Sequence, residues 1–275
     1  MTRRVVAVLM TVMACAGGAA RATDVTANIL TDTTWTVAGS PWVIKRNVQV
    51  RLGATLTIEP GATVAFDGFY RLETDNTKPA PSIVALGTDD NRITFTSNLP
   101  SPTVGSWNMV AVVDSSSSSA FRHCVFEYAT EGLRVIAGDA QIERCSFSNC
   151  QTGIYLQYSS PSITGTSIVN CTVAGIQCQF KSTRPEIHDC YLDNRSGGAY
   201  NVRLANYDGG GFVYINAEYN WWGTSVEFGD QGIRASIWDN VDDVNIKGVV
   251  IYTPWYTEPA VETTSWGAIK ALFKG

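Results

Sequence analysis

The chain has 275 residues, of which 45% are hydrophobic and only 16% charged, with 20 basic against 25 acidic side chains and a net charge of −5. That is enough apolar material for a real core and too little charge for a disordered chain. The excess of acid argues against nucleic acid as a partner, which calls for clustered Lys and Arg.

The first 22 residues stand apart. Arg3 and Arg4 precede an apolar run from Val5 to Ala14, and Ala20-Arg21-Ala22 forms a small-x-small cleavage site. This reads as a secretory signal peptide, because about ten apolar residues are too few to span a membrane. Val12-Met13-Ala14-Cys15 keeps lipid attachment at Cys15 open as an alternative. Cleavage before Thr23 removes Arg3, Arg4 and Arg21, leaving 17 basic against 25 acidic side chains, a charge of −8. No later apolar run is long enough for a transmembrane helix.

Residues 23–46 are polar and β-prone, and Trp35 and Trp42 are large enough to close the open end of a stack, so this segment is expected to be an N-terminal cap. From Asn47 to Gly68, Val48, Val50, Leu56, Ile58, Val64 and Phe66 alternate with polar residues, while Gly53, Pro60 and Gly61 mark turns. Ile93-Thr94-Phe95-Thr96 and Asn108 to Val113 predict further strands. Ser115 to Ser119 reads as a turn, because the β pattern continues on both sides.

The stretch from Phe121 to Glu186 can be laid over itself with a period of about 21 to 24 residues, the mark of a solenoid. One column reads Phe121, Ile142, Ile163, Ile187; the next Cys124, Cys145, Thr166, Cys190; the next Phe126, Phe147, Ile168, Leu192. A further strand in each unit begins Gly132-Leu133, Gly153-Ile154 and Gly175-Ile176, with apolar side chains two apart and therefore inward. Asn149, Asn170 and Asn194 share a turn position, where an Asn tolerates left-handed backbone and can pass amide hydrogen bonds between copies. The pattern predicts a parallel β-helix over 47–223. A leucine-rich repeat would need its own Leu and Asn consensus and a helical half.

Six cysteines follow the signal peptide. Cys124, Cys145 and Cys190 lie in one inward column, Cys178 in another, and Cys150 matches Cys171 at a turn. Coils about 4.8 Å apart exceed the about 3.8 Å between β-carbons of a disulfide, so buried thiols are expected. Cys150 with Cys171 is the best-placed pair if a bridge forms.

After an excursion from Gly197 to Gly211, the chain carries Ala-Glu-Tyr-Asn-Trp-Trp-Gly at 217–223. Residues 224–264 are expected to supply closing strands, at Ile233 to Asp239 and Val249 to Tyr252, and a cap. Residues 265–275 contain Ser-Trp-Gly-Ala-Ile-Lys-Ala-Leu-Phe-Lys, with Trp266, Ile269 and Phe273 on one face of a short helix, either a lid over the last coil or a docking tag.

With its Leu-Thr-Ile-Glu-Pro-Gly at 56–61, its Arg-Ile-Thr-Phe-Thr-Ser-Asn at 92–98, its inward Cys and Phe columns and its Asn-Trp-Trp-Gly at 220–223, the chain resembles bacterial secreted right-handed parallel β-helix repeat proteins from about Trp35 to Trp255. The resemblance implies an all-β, single-stranded, pectin-lyase-like superhelix with capped ends and a secreted or cell-surface location. It does not imply one activity, since the fold hosts polysaccharide lyases, hydrolases and uncharacterised surface proteins.

A lyase of this fold needs a basic residue against a sugar proton and acids for Ca²⁺. The candidates are Arg134, Lys181, Arg184 and Arg203, with Glu127, Glu131, Glu143, Asp189 and Asp208, and they are scattered over several coils. A glycosidase needs carboxylates about 5 to 9.5 Å apart; Asp89-Asp90 is the only early pair, and the Gly-His-Gly and Arg-x-Lys motifs of polygalacturonases are missing. His123 and His188 occupy similar places beside Cys124 and Cys190, but two coils separate them, too far to share a metal. Asp239, Asp242 and Asp243 are a weak Ca²⁺ candidate; otherwise no cofactor is expected.

An outer face is more informative. Tyr155 and Gln157 align with Gln177 and Gln179 of the next coil, and Tyr158 aligns with Phe180 at the following corner. Amide rows with an aromatic edge suit sugar hydroxyls and apolar ring faces, although stacked Gln and aromatic residues also stabilise a β-helix by themselves. The expected function is that of a noncatalytic secreted or cell-surface protein, a monomer, with this face as its candidate site for an extracellular polysaccharide or cell-envelope glycan. The alternatives are a polysaccharide lyase or glycoside hydrolase, and a purely structural envelope protein.

Overall fold

The structure is a computed structural model that describes residues 22–113, 118–180, 182–194, 198–208 and 211–257. The expected signal peptide with Cys15, most of the serine run, Lys181 and the segment at 265–275 lie outside the described residues.

Alternation of apolar and polar residues produces strands that bury one face, and every strand pair here is parallel. The strands stack into three sheets of eight, eight and nine members among the described residues. Sheet I begins with Thr23–Val25 and ends with Tyr191–Asp193; sheet II runs from Val48–Val50 to Ile237–Trp238; sheet III runs from Thr33–Trp35 to Gly248–Ile251. Within a repeat the chain passes from sheet III to sheet I to sheet II, so each coil contributes one strand to each.

The predicted columns are in register. Phe121 pairs with Ile142, Ile142 with Ile163 and Ile163 with Ile187 in sheet III. Phe126, Phe147, Ile168 and Leu192 follow one another in sheet I, and Leu133, Ile154, Ile176 and Val202 in sheet II. Inside, the rings of Phe95, Phe126 and Phe147 stack face to face at 4.6 and 4.7 Å. The glycines that open the sheet II strands are required by close approach: a Cβ on Gly153 would lie 2.7 Å from the carbonyl oxygen of Gly175. All six described cysteines are free and buried.

The corner between sheets III and I is a single residue in the left-handed region. His123, Arg144, Gly165 and Asp189 take that place in successive coils, with φ of 48°, 52°, 56° and 55°. Each follows a strand residue that is in register with its neighbours, the series Arg122, Glu143, Thr164, His188.

Residues 23–46, the expected cap, are themselves built of strands: Thr23–Val25 pairs with Trp42–Ile44, and Thr33–Trp35 pairs with Thr55–Ile58. Trp35 is buried and stacks on Trp42 at 5.2 Å, which fills the core at that end. Ile233 to Asp239 is not one strand. Gly229–Arg234 is a short helix that buries Ile233, and only Ile237–Trp238 is extended. Of the three aligned asparagines, Asn149 and Asn170 are left-handed, at φ 53° and 55°, but Asn194 points inward, where it accepts from the Cys171 N–H at 2.9 Å and donates to Ile168 O at 2.9 Å. Its amide also meets Asn201, whose own amide donates to Ser236. The buried polar ladder therefore crosses into the coil that breaks the repeat length, away from the turn that sequence spacing indicated.

The Asn-Trp-Trp-Gly motif closes the repeats with four separate jobs. Asn220 is buried, accepting from Cys190 N–H and donating to Ile187 O. Trp221 faces out and stacks on Tyr191 at 4.0 Å, Trp222 is buried in the core, and Gly223 (φ 57°) lies where a Cβ would meet the Asp193 side chain at 2.3 Å.

Candidate functional site

The outer surface of sheet II carries the sequence-derived site. Successive strands Ala129–Ile136, Thr152–Gln157, Ala174–Gln179, Tyr200–Ala205 and Ile237–Trp238 place Arg134, Tyr155, Gln177, Arg203 and Trp238 in one outward row. Ile136, Gln157, Gln179 and Ala205 form the row beside it. The Gln177 Nε2 donates to Gln179 Oε1 at 3.3 Å along one strand, so the two amides are pre-oriented. The Arg134 guanidinium lies 4.6 Å from the centre of the Tyr155 ring and is ion-paired to Glu131. Burial pushes the Tyr155 hydroxyl up, which keeps it a donor across physiological pH.

Where each strand leaves sheet II, one residue turns left-handed: Ala137, Tyr158, Phe180 and Asn206, with φ of 53°, 53°, 68° and 55°. That conformation throws the side chain outward at the edge. Tyr158 and Phe180 consequently stack with centroids 4.7 Å apart and planes within 1°. Their rings form one wall of an open groove of about 450 Å³ that is also lined by Ser182, Arg184, Asn206 and Asp208.

The structure thus brings together all six residues proposed from sequence, Tyr155, Gln157, Tyr158, Gln177, Gln179 and Phe180, on a face and its adjoining corner. It adds Arg184 and Asp208, which sequence reasoning had left among scattered charges. Arg203 stood among the same scattered charges and Asn206 was missed, because the irregular coil length after Asn194 hides their register; Ser182, ahead of that break, carried no pattern that marked it. The alternation Val202-Arg203-Leu204, copying Ile176-Gln177-Cys178, was the available signal. The Arg203 Nε is buried and has no hydrogen-bond partner among the described residues.

The remaining candidates do not converge. Glu127 accepts from Thr96 Oγ1 at 2.9 Å, Glu143 pairs with Arg122 at 3.2 Å, and Asp189 accepts from the Tyr256 hydroxyl at 2.8 Å. Asp89 and Asp90 are both exposed, and Asp89 lies 3.0 Å from His123 Nδ1. His123 and His188 are not in equivalent positions. His123 is at the corner, where burial pushes its imidazole down; His188 is one register step earlier, on a strand, between Glu186 and the Glu218 carbonyl.

The C-terminal acids already hold a cation. The Arg234 guanidinium reaches Asp239 at 3.1 Å and Asp242 at 2.6 Å, and buried Asp239 also accepts from the N–H groups of Val241 and Val250. Asp243 accepts from the backbone and side chain of Asn245. With Arg234 in place these carboxylates do not present a free oxygen cage for Ca²⁺. Among the described residues no group of three or more His, Cys, Asp or Glu is placed to hold a metal ion.

Residues 87–226, just over half of the 275, match the family described as the right handed beta helix region. The chain belongs to that family. Comparisons with curated proteins and with solved structures give no match. The match to the right-handed β-helix family covers the coils that carry the groove and the face from Arg134 to Arg203, and it fixes their architecture without assigning them an activity. No helix among the described residues is long and apolar enough to cross a membrane.

Proposed function

We propose that this right-handed β-helix protein is exported, works at or beyond the cell surface, and holds a polysaccharide on the outer face of sheet II without cleaving it. The observation that carries this reading is the face-to-face Tyr158–Phe180 stack over an open groove, set directly beside the Tyr155–Gln177 and Gln157–Gln179 rows. Sugar rings offer apolar C–H faces to aromatic walls and a rim of hydroxyls to amides that both donate and accept. The rigid sheet keeps both sets in place before a ligand arrives, which lowers the ordering cost of binding.

A second reading is a polysaccharide lyase or glycoside hydrolase. Arg184 and Asp208 favour it, because a basic and an acidic side chain share the aromatic groove.

Purified Thr23 to Gly275 tested against a panel of plant, algal and bacterial polysaccharides separates the two, with binding, unsaturated-product absorbance and reducing ends read together. Retention without product, lost in Tyr158→Ala with Gln177→Ala while the β-sheet circular dichroism survives, supports the binding reading. Product from any polymer overturns it in favour of catalysis, and Arg184 and Asp208 are then the first residues to replace.

A further inference from the structure

A second groove lies beside the first on the corner between sheets II and III. It has a volume of about 460 Å³, comparable to the first, and is lined by Asp139, Gln141, Glu143, Ser160, Ser162 and Thr164 over an apolar floor that includes Pro161. Both volumes fall in the about 300–1,000 Å³ range of small-ligand sites.

The chemistry of its lining is selective. Asp139 accepts from the Ser160 N–H at 2.5 Å, and Glu143 is neutralised by Arg122 at 3.2 Å and Arg144 at 3.7 Å. Glu143 is therefore neutralised, and Asp139 is tied to the backbone of the next coil. The side chains of Gln141, Ser162 and Thr164 make no hydrogen bond to a described residue, and Gln141 and Ser162 sit opposite each other's coils at the entrance to sheet III, with Ile142 and Ile163 in register behind them. What remains free is a set of neutral donors and acceptors, the complement of hydroxyl groups.

The two grooves meet at one contact. Ser160 lines the second groove, Arg184 lines the first, and the Arg184 N–H donates to Ser160 Oγ at 3.2 Å. Taken in order, Asp139, Ser160, Arg184 and Asp208 stand on four successive coils, whose spacing of about 4.8 Å is comparable to the length of one sugar ring in a linear chain.

We infer that the two grooves are one extended site, in which a linear, neutral glycan runs along the solenoid axis, packing its apolar C–H surface against the Tyr158–Phe180 stack and continuing into the hydroxyl-rich groove at Gln141, Ser162 and Thr164. This rests on the glycan reading of the first groove and adds the neutral class, the direction and a minimum length of about four sugars, one per coil.

The test is a titration with cello-, laminari- and manno-oligosaccharides from disaccharide to hexasaccharide, on the wild type, Ser162→Trp, Gln141→Ala and Tyr158→Ala. Affinity is expected to rise at least about tenfold between disaccharide and tetrasaccharide and then level off. Ser162→Trp, which fills the second groove from an exposed position, removes that rise while leaving disaccharide affinity intact. Gln141→Ala reduces the rise without adding bulk and so guards against a folding defect, and Tyr158→Ala weakens every length. An unchanged tetrasaccharide affinity in both Ser162→Trp and Gln141→Ala overturns the extended site and leaves the aromatic groove standing. Failure of every oligosaccharide, and of the polysaccharide panel, overturns the glycan reading and the extension together.

Discussion

The Asn220 side chain accepts a hydrogen bond from the Cys190 N–H at 2.9 Å while donating to the Ile187 carbonyl at 2.7 Å, so one buried amide joins the last coil to the one beneath it. Lower in the stack the Thr166 hydroxyl likewise accepts from the Cys145 N–H, while donating within its own coil to the Thr164 carbonyl. Neither partner of Asn220 has access to water, and an unpaired buried polar group costs about 1–3 kcal/mol. Asn220→Ala should lower stability by about 2–4 kcal/mol, with amide exchange speeding up most in the coils after Tyr191. Uniform loss of protection across all coils would contradict this local role.

Gly153 is needed for space. A methyl group there would collide with the Gly175 carbonyl and with Ile168 at 2.7 and 2.8 Å, and both belong to the packed interior of the next coils. Gly153→Ala should destabilise by about 2 kcal/mol or more, whereas the same change at Gly211, where no described residue lies within 4 Å of the added carbon, should be close to neutral. Chemical denaturation of the pair decides it.

Arg234 makes the C-terminal acids tolerable. Asp239 is fully buried, and removing its guanidinium partner leaves a charge held only by backbone N–H groups such as those of Val241 and Val250. Arg234→Met is expected to cost about 3–5 kcal/mol, and Ca²⁺ should not change the melting temperature of the wild type. A wild-type shift with Ca²⁺ would show that the carboxylates can exchange Arg234 for a metal.

Burial pushes the thiols of Cys150, Cys178 and Cys190 up from the ordinary 9.0 to about 12. The fold favours the neutral thiol, so the raised folded value means that this stabilisation is complete below about pH 9 and is lost as pH rises from about 9 towards 12. The urea midpoint should therefore fall above about pH 9, and a thiol reagent at about pH 8 should label these cysteines only after unfolding. Rapid labelling of the native protein would refute the burial.

The stacked rings of Tyr158 and Phe180 are at the surface, so they are cheap to remove. Tyr158→Ala should cost only about 0.5–1.5 kcal/mol in a melt, in line with one aromatic pair, while glycan retention falls by at least about tenfold. A large loss of stability would assign the stack a structural duty instead.

Most of the architecture was legible because a repeat writes the same constraint several times. The inward columns from Phe121 to Ile187 and from Phe126 to Leu192, and the outward pairs Tyr155–Gln177 and Tyr158–Phe180, all followed from spacing alone. What spacing hid begins where coil length changes. Asn194 looks like Asn149 and Asn170 by position, yet its amide is drawn inward by the free Cys171 N–H, and Arg203 disappears from the row it belongs to. At the other end, residues 23–46 carried too few alternations to announce themselves as strands, and their pairing is decided by the neighbours at Trp42–Val64 and Trp35–Ile58. The grooves depend on corner curvature, which no residue pattern encodes directly.

The one-residue corner between sheets III and I carries a histidine, an arginine, a glycine and an aspartate in four consecutive coils, all with nearly the same backbone. The conformation is imposed by the register above and below, so the occupant's own preference matters little. Substitutions there change what the surface offers while the scaffold is inherited intact, and a protein built this way can acquire a new ligand one corner at a time.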